Sequence, residues 1–216
     1  MKIPVSHGHL EAQLKEPSGL PRGAAVLCHP HPLFGGTMHT KAVYRAAQAL
    51  NEIGLSVLRF NFRGVGASTG SYDAGIGERE DVIAALDWLE KSYPNLPLLV
   101  GGFSFGSMVG LAVGAEDKRV IALLGLGLVI GNHYDYTYLS DAGKPVLVVQ
   151  GEEDEFGSGE QVEALLAKLG KHITLMRVPD ADHYFTGQLD ALKRAIRDYY
   201  EPDPVACFFA TVYRET

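Results

Sequence analysis

The chain has 216 residues, 46% hydrophobic and 21% charged, with a formal net charge of −7, which suits one well-buried domain and is short for two. An acidic balance without a basic patch argues against nucleic acid or an anionic membrane as partner. The residues after Met1 lack the apolar core of a signal peptide, and the longest apolar run, Val120 to Ile130, is too short to span a bilayer, so a cytoplasmic protein is expected.

In chain order, Ile3 to Ser6 and His9 to Leu14 flank His7-Gly8 and read as a hairpin, forming an amino-terminal region over residues 1–23. Pro17, Gly19 and Pro21 break the chain before a first core strand, Ala24 to Cys28, and the irregular loop His29-Pro30-His31-Pro32-Leu33-Phe34-Gly35-Gly36. Apolar residues from Ala42 to Ile53 recur at helical spacing over Lys41 to Ile53, with Gly54 as the stop. A second core strand, Leu55 to Asn61, runs into a glycine-rich connection in which Arg63 and Ser68 are expected to pin the loop, Arg63 through a carboxylate such as Glu78 or Asp81. A helix over Glu78 to Lys91 follows, with acidic residues near its start, where they suit the helix dipole.

The third core strand, Leu98 to Phe103, ends in Gly102-Phe103-Ser104-Phe105-Gly106, and a helix begins directly after it. A serine centred on such a strand-to-helix turn is forced into a strained backbone conformation that lifts its hydroxyl to the edge of the sheet. The Phe105 N–H then sits in the first turn of the helix, where N–H groups lack helical partners and the dipole favours negative charge. Val120 to Ile130 reads as the fourth core strand and Pro145 to Gln150 as the fifth, both apolar enough to be covered on two faces. A capping box at Ser158 to Gln161 opens a helix through Leu169. His172 to Val178 is the sixth core strand, and Thr186 is placed to cap a final helix with Leu189, Leu192 and Ile196 inward. This alternation predicts an α/β fold: a doubly wound, mostly parallel sheet with its site at the carboxyl ends of the strands. From Glu201 the composition changes, and the apolar segment Val205 to Tyr213 needs cover, as an edge strand, against the domain, or in a contact between two copies as a homodimer.

The strand ends collect Ser104 after the third core strand, Asp154 after the fifth and His183 after the sixth. A serine hydroxyl becomes a nucleophile only beside a base, and the base needs a third group to orient it, so the order Ser104, Asp154, His183 points to a triad. Glu152, Glu153 and Glu155 beside Asp154 compete for the role of the acid, Glu153 the nearest of them. Of His29, His31, His39 and His133, the first two are splayed by the prolines around them, and no acidic or cysteine partner lies at useful spacing, so a metal site is not expected. Cys28 and Cys207 lie in apolar surroundings and read as reduced thiols.

The segments Gly-Phe-Ser-Phe-Gly, His-Pro-His-Pro-Leu-Phe-Gly-Gly-Thr-Met, Phe-Asn-Phe-Arg-Gly-Val-Gly-Ala-Ser, Gln-Gly-Glu-Glu-Asp and Asp-Ala-Asp-His-Tyr-Phe together resemble the α/β-hydrolase superfamily, close to small, uncapped dienelactone-hydrolase-like serine esterases, over about Ala24 to Tyr200. Dienelactone hydrolase itself carries cysteine where this chain has Ser104. The resemblance implies Ser104 as nucleophile, His183 as base and Asp154 as acid, with no cofactor or metal. One oxyanion donor is expected from Phe105. The second is expected from the loop after the first core strand, where Pro30 and Pro32 have no N–H and His31, Leu33 and Phe34 remain. The resemblance favours Leu33, then His31.

Only Gly131 to Lys144 separates the fourth and fifth core strands, too little for a lid domain. The site is therefore expected to be open, walled by Phe34, Phe105, Tyr134, Tyr136, Tyr138 and Tyr184, and to act on small-molecule esters with short acyl chains. A thioesterase, amidase, peptidase or acyltransferase would use the same triad. A binding protein that keeps the fold without the chemistry is the alternative from another class.

Overall fold

A computed structural model describes residues 1–131 and 134–201. Its elements are β1 (Lys2–Val5), β2 (Gly8–Lys15), β3 (Gly23–Cys28), α1 (Lys41–Glu52), β4 (Leu55–Phe60), α2 (Ile76–Ser92), β5 (Leu98–Phe103), α3 (Phe105–Glu116), β6 (Val120–Leu126), β7 (Val146–Gly151), α4 (Gly159–Leu166), β8 (Ile173–Val178) and α5 (Leu189–Tyr200). Among the described residues the strands form one eight-stranded sheet in the order β1-β2-β4-β3-β5-β6-β7-β8. From β4 to β8 every pairing is parallel, and the hairpin β1–β2 joins antiparallel through β2 on β4.

The near-continuous apolar runs belong to strands covered on both faces, and alternate residues of each strand serve different layers. Val26 and Cys28 of β3, Val100 of β5 and Val148 of β7 meet α2, α3 and α4 on one side. Leu27, Leu99 and Val149 meet α1 and α5 on the other. Each helix contributes a matching stripe: Val82, Leu86 and Leu89 from α2 to the first layer, and Leu192, Ile196 and Tyr200 from α5 to the second.

Several boundaries differ from the sequence expectation. The strand expected over Val120 to Ile130 stops at Leu126, because the chain turns at Gly127 (φ 53°) and carries Leu128 to Ile130 across the sheet edge. Helix α2 starts at Ile76, and Glu78 folds back to accept the N–H groups of Asp73 (2.9 Å) and Gly75 (2.8 Å). The capping box at Ser158 and Gln161 forms, but α4 gives way to tighter turns after Leu166. Thr186 does not cap α5; its own N–H donates to Asp182 Oδ1, and the helix begins at Leu189.

The glycine-rich loop after β4 is held as Arg63 and Ser68 suggested. Arg63 donates to Asp81 through its backbone N–H (2.9 Å) and its guanidinium, whose other contact is Glu80, while the buried Glu78 serves the helix start. The same Asp81 meets His7 Nε2 at 3.1 Å, which ties the hairpin turn to α2. Ser68 Oγ donates to Asn61 O (2.7 Å) and accepts the Glu11 N–H (2.8 Å). Among the described residues, the β6–β7 connection holds one short 3-10 turn, Thr137–Asp141, and no lid domain. No described helix is long and apolar enough to cross a membrane. The apolar segment Val205 to Tyr213, with Cys207, and His133 lie outside the described residues.

Candidate active site

Ser104 occupies the turn between β5 and α3 at φ 57°, ψ −121°, a backbone conformation that is costly for a residue with a Cβ and persists only where the surroundings impose it. The surroundings do so by close packing. A Cβ on Gly102 would lie 2.1 Å from the Gly106 carbonyl oxygen, and one on Gly106 would lie 2.5 Å from the carbonyl oxygens of Cys28 and His29. Only glycine at both positions lets strand, turn and helix approach this closely. The Ser104 N–H is satisfied by Leu126 O at 2.9 Å, and the one proton of buried Ser107 Oγ is within reach of both Gly102 O (2.7 Å) and Leu126 O (2.9 Å), while the oxygen accepts the Leu126 N–H (3.1 Å), pinning the turn to β6. Phe105 opens α3, so its N–H has no helical acceptor.

His183 enters from the loop after β8. Its Nε2 lies 2.9 Å from Ser104 Oγ and its Nδ1 lies 2.8 Å from Asp154 Oδ2, and all three residues are buried. An ionised carboxylate only accepts, so Nδ1 carries the proton and Nε2 offers its lone pair to the serine hydroxyl. The imidazole is enclosed by the rings of Phe103, Phe156 and Tyr184, with centroids at 5.0, 4.7 and 5.3 Å. Its backbone N–H donates to Glu155 Oε2 (3.2 Å), which fixes the loop from outside. Asp154 is held by the Phe156 N–H on Oδ1 (2.9 Å) and by Gln150 Nε2 on Oδ2 (2.7 Å). Of the acidic cluster, Glu153 points to solvent, and Asp154 is the member that reaches the imidazole.

The loop after β3 is organised by two histidines. His29 is fully buried; its Nδ1–H donates to Pro30 O (2.7 Å) and its Nε2 accepts the Phe62 N–H (3.0 Å). Burial pushes its pKa down to about 4, opposed by the bond to Pro30, so the ring is neutral and both nitrogens are committed to backbone. His31 accepts the Leu33 N–H on Nδ1 (3.2 Å) and bonds Tyr72 Oη through Nε2 (3.2 Å). The Phe34 N–H goes to the His31 carbonyl at 3.1 Å. Of the three candidates for a second oxyanion donor, Leu33 and Phe34 are thus occupied. Leu33 is also 65% exposed. Among the described residues the His31 N–H has no acceptor.

Ser104 and His183 open on a cavity of about 300 Å³ whose walls include Phe34, Tyr134 and Tyr184. Tyr136 is not a wall: it is 1% exposed and packs beside Tyr138 in the layer under the sheet. Phe105 is likewise inside, packed at a tilt against His31 and edge-to-face with Phe62. The sequence reading missed Thr40, Val129 and Phe156, which line the cavity, and Gln150 beneath it. For Gln150 a signal was present, since it is the one amide closing the apolar run Val146–Val149. Cys28 is buried below the Ser104 turn, where burial raises its pKa and keeps it a thiol. Among the described residues no group of three or more His, Cys, Asp or Glu is arranged to hold a metal ion.

The fold and this buried relay define a class, and the comparisons agree with it. A family model for the alpha/beta hydrolase domain matches residues 24–193, and the chain belongs to that family. It is similar to an α/β serine hydrolase without a lid from Xanthomonas campestris, at 35% identity and TM-score 0.85, with 93% of this chain and 92% of that one covered. An α/β serine hydrolase homologue from Coxiella burnetii matches at 35% identity and TM-score 0.85, covering 92% and 95%. An uncharacterized protein of Rickettsia prowazekii is 33% identical over 200 residues, 89% of this chain and 84% of that protein. These relationships support hydrolase activity.

Proposed function

We propose that the protein is a serine hydrolase of carboxylic esters that works through an acyl-enzyme on Ser104. The observation that carries this reading is the continuous relay from Ser104 Oγ to His183 Nε2 (2.9 Å) and from His183 Nδ1 to Asp154 (2.8 Å). As Ser104 Oγ attacks the ester carbonyl, its proton passes to His183, and the imidazolium that forms is stabilised by the carboxylate of Asp154. The tetrahedral oxyanion is held by the N–H of Phe105 and, in the loop after β3, by the N–H of His31. His183 then protonates the departing alcohol, and a water deprotonated by the same nitrogen releases the acid.

The cavity favours small, uncharged substrates. Among the described residues none that lines it is Asp, Glu, Lys or Arg, and Glu153, Glu155 and Asp182 lie in the neighbouring loops, so polyanionic carriers are disfavoured. Its modest volume and the absence of a lid among the described residues favour short acyl chains. The test is hydrolysis of a series of p-nitrophenyl esters together with labelling by a fluorophosphonate. Turnover of short-chain esters and labelling that is lost in Ser104→Ala and His183→Ala are expected. Turnover that survives in Ser104→Ala, or a strong preference for long acyl chains, would overturn the reading.

A further inference from the structure

We infer that Gln150 is a positioning residue that holds the Asp154 carboxylate in register with His183; the inference rests on the triad reading above. Gln150 is 0% exposed near the end of β7, and its whole carboxamide is engaged. Oε1 accepts the Leu128 N–H at 2.7 Å, while Nε2 donates to Asp154 Oδ2 and to Gly157 O, each at 2.7 Å, with Leu128 O at 3.4 Å. These partners dictate which way the amide faces. A flipped amide would set its oxygen against a carboxylate and a carbonyl, and its N–H groups against the Leu128 N–H.

The consequence lies in the torsional freedom of a carboxylate. The last torsion of an aspartate is broad, so one hydrogen bond leaves the group free to swing. Asp154 has a donor on each oxygen: the Phe156 N–H on Oδ1 at 2.9 Å, and Gln150 on the oxygen that receives His183 Nδ1. The two together leave one orientation, with Oδ2 aimed at the imidazole. Gln150 also links two segments of the site, because Leu128 precedes the cavity residue Val129 and Gly157 closes the turn that carries Asp154. It does not line the cavity, so its loss acts through alignment of His183 and leaves substrate contact intact.

The test is a double-mutant cycle with Gln150→Leu and Asp154→Asn, read as kcat and KM on a short-chain p-nitrophenyl ester. It is joined by a proton NMR measurement of the downfield His183 Nδ1–H signal. We expect Gln150→Leu to lower kcat by about 10- to 100-fold with KM changed by less than about twofold, as for other residues that orient a reacting group from behind. In the Asp154→Asn background the same change is expected to alter kcat by less than about twofold, because the group it aligns is already disabled. The Nδ1–H signal is expected to shift or broaden in Gln150→Leu. An unchanged kcat, or an equal loss in both backgrounds, would overturn the inference. If Gln150→Leu does not fold, Gln150→Glu takes its place in the cycle: it keeps the acceptor for Leu128 but cannot donate when ionised, so its loss must be larger beside Asp154 than beside asparagine. Ser104→Ala separates the two readings. Turnover surviving there refutes the triad itself, whereas a dead Ser104→Ala beside an unaffected Gln150→Leu refutes only the role of Gln150.

Discussion

His29 and His183 are both buried histidines with both ring nitrogens hydrogen-bonded, yet their surroundings suit them for opposite tasks. The partners of His29 are a backbone carbonyl and a backbone N–H, neither of which changes protonation, so its ring is a fixed brace between the loop after β3 and the loop after β4. The partners of His183 are a carboxylate and a hydroxyl, and a proton arriving on Nε2 meets a negative charge waiting behind Nδ1. Burial alone therefore does not mark a histidine as a base. What distinguishes the two is whether the neighbouring groups gain or lose by the ring becoming charged.

The largest effect is expected at His183. His183→Ala is expected to lower kcat/KM on a short-chain ester by about 10⁴-fold or more while the protein remains folded. Circular dichroism alongside the kinetics checks both halves. Asp154→Asn is expected to cost about the same, roughly 10⁴-fold, because an amide no longer fixes the imidazole tautomer or offsets its charge.

At the first histidine the effect is one of stability and of pH. The folded-state pKa of His29 is pushed down to about 4 from an ordinary 6.5, so between these values the unfolded chain binds the extra proton. Stability is therefore complete above about pH 6.5 and falls as pH drops towards 4, by about 3 kcal/mol from this group. Urea midpoints measured across that window should show the slope, and His29→Gln should flatten it. The smallest effect is expected at Glu153, which is exposed, while the carboxylate bonded to the His183 ring is that of Asp154. Glu153→Gln should change kcat by less than about twofold, and a loss comparable with that of Asp154→Asn would reassign the acid.

Much of the architecture was legible because it follows from repeated local patterns. Runs such as Val146–Val149 announce strands covered on both faces, and the spacing of Val82, Leu86 and Leu89 announces the stripe of α2. Boundaries were less legible where a contact from elsewhere sets them. Leu128 continues an apolar run, yet the chain has left the sheet at the Gly127 turn, and Gln150 takes the Leu128 N–H. Tyr136 reads as an aromatic in a loop beside the site, and only packing shows it beneath the surface.

The order Ser104, Asp154, His183 and the glycines at 102 and 106 are properties of the sequence itself, since the succession of elements along the chain and the steric demand of a tight turn are written locally. Which acidic residue reaches His183, which N–H of the loop after β3 is left without an acceptor, and what steadies the carboxylate were decided by tertiary structure alone. Each depends on distances of about 3 Å between groups far apart in the chain, and hydrogen bonding weakens steeply beyond that reach. No periodicity in the sequence encodes such a separation.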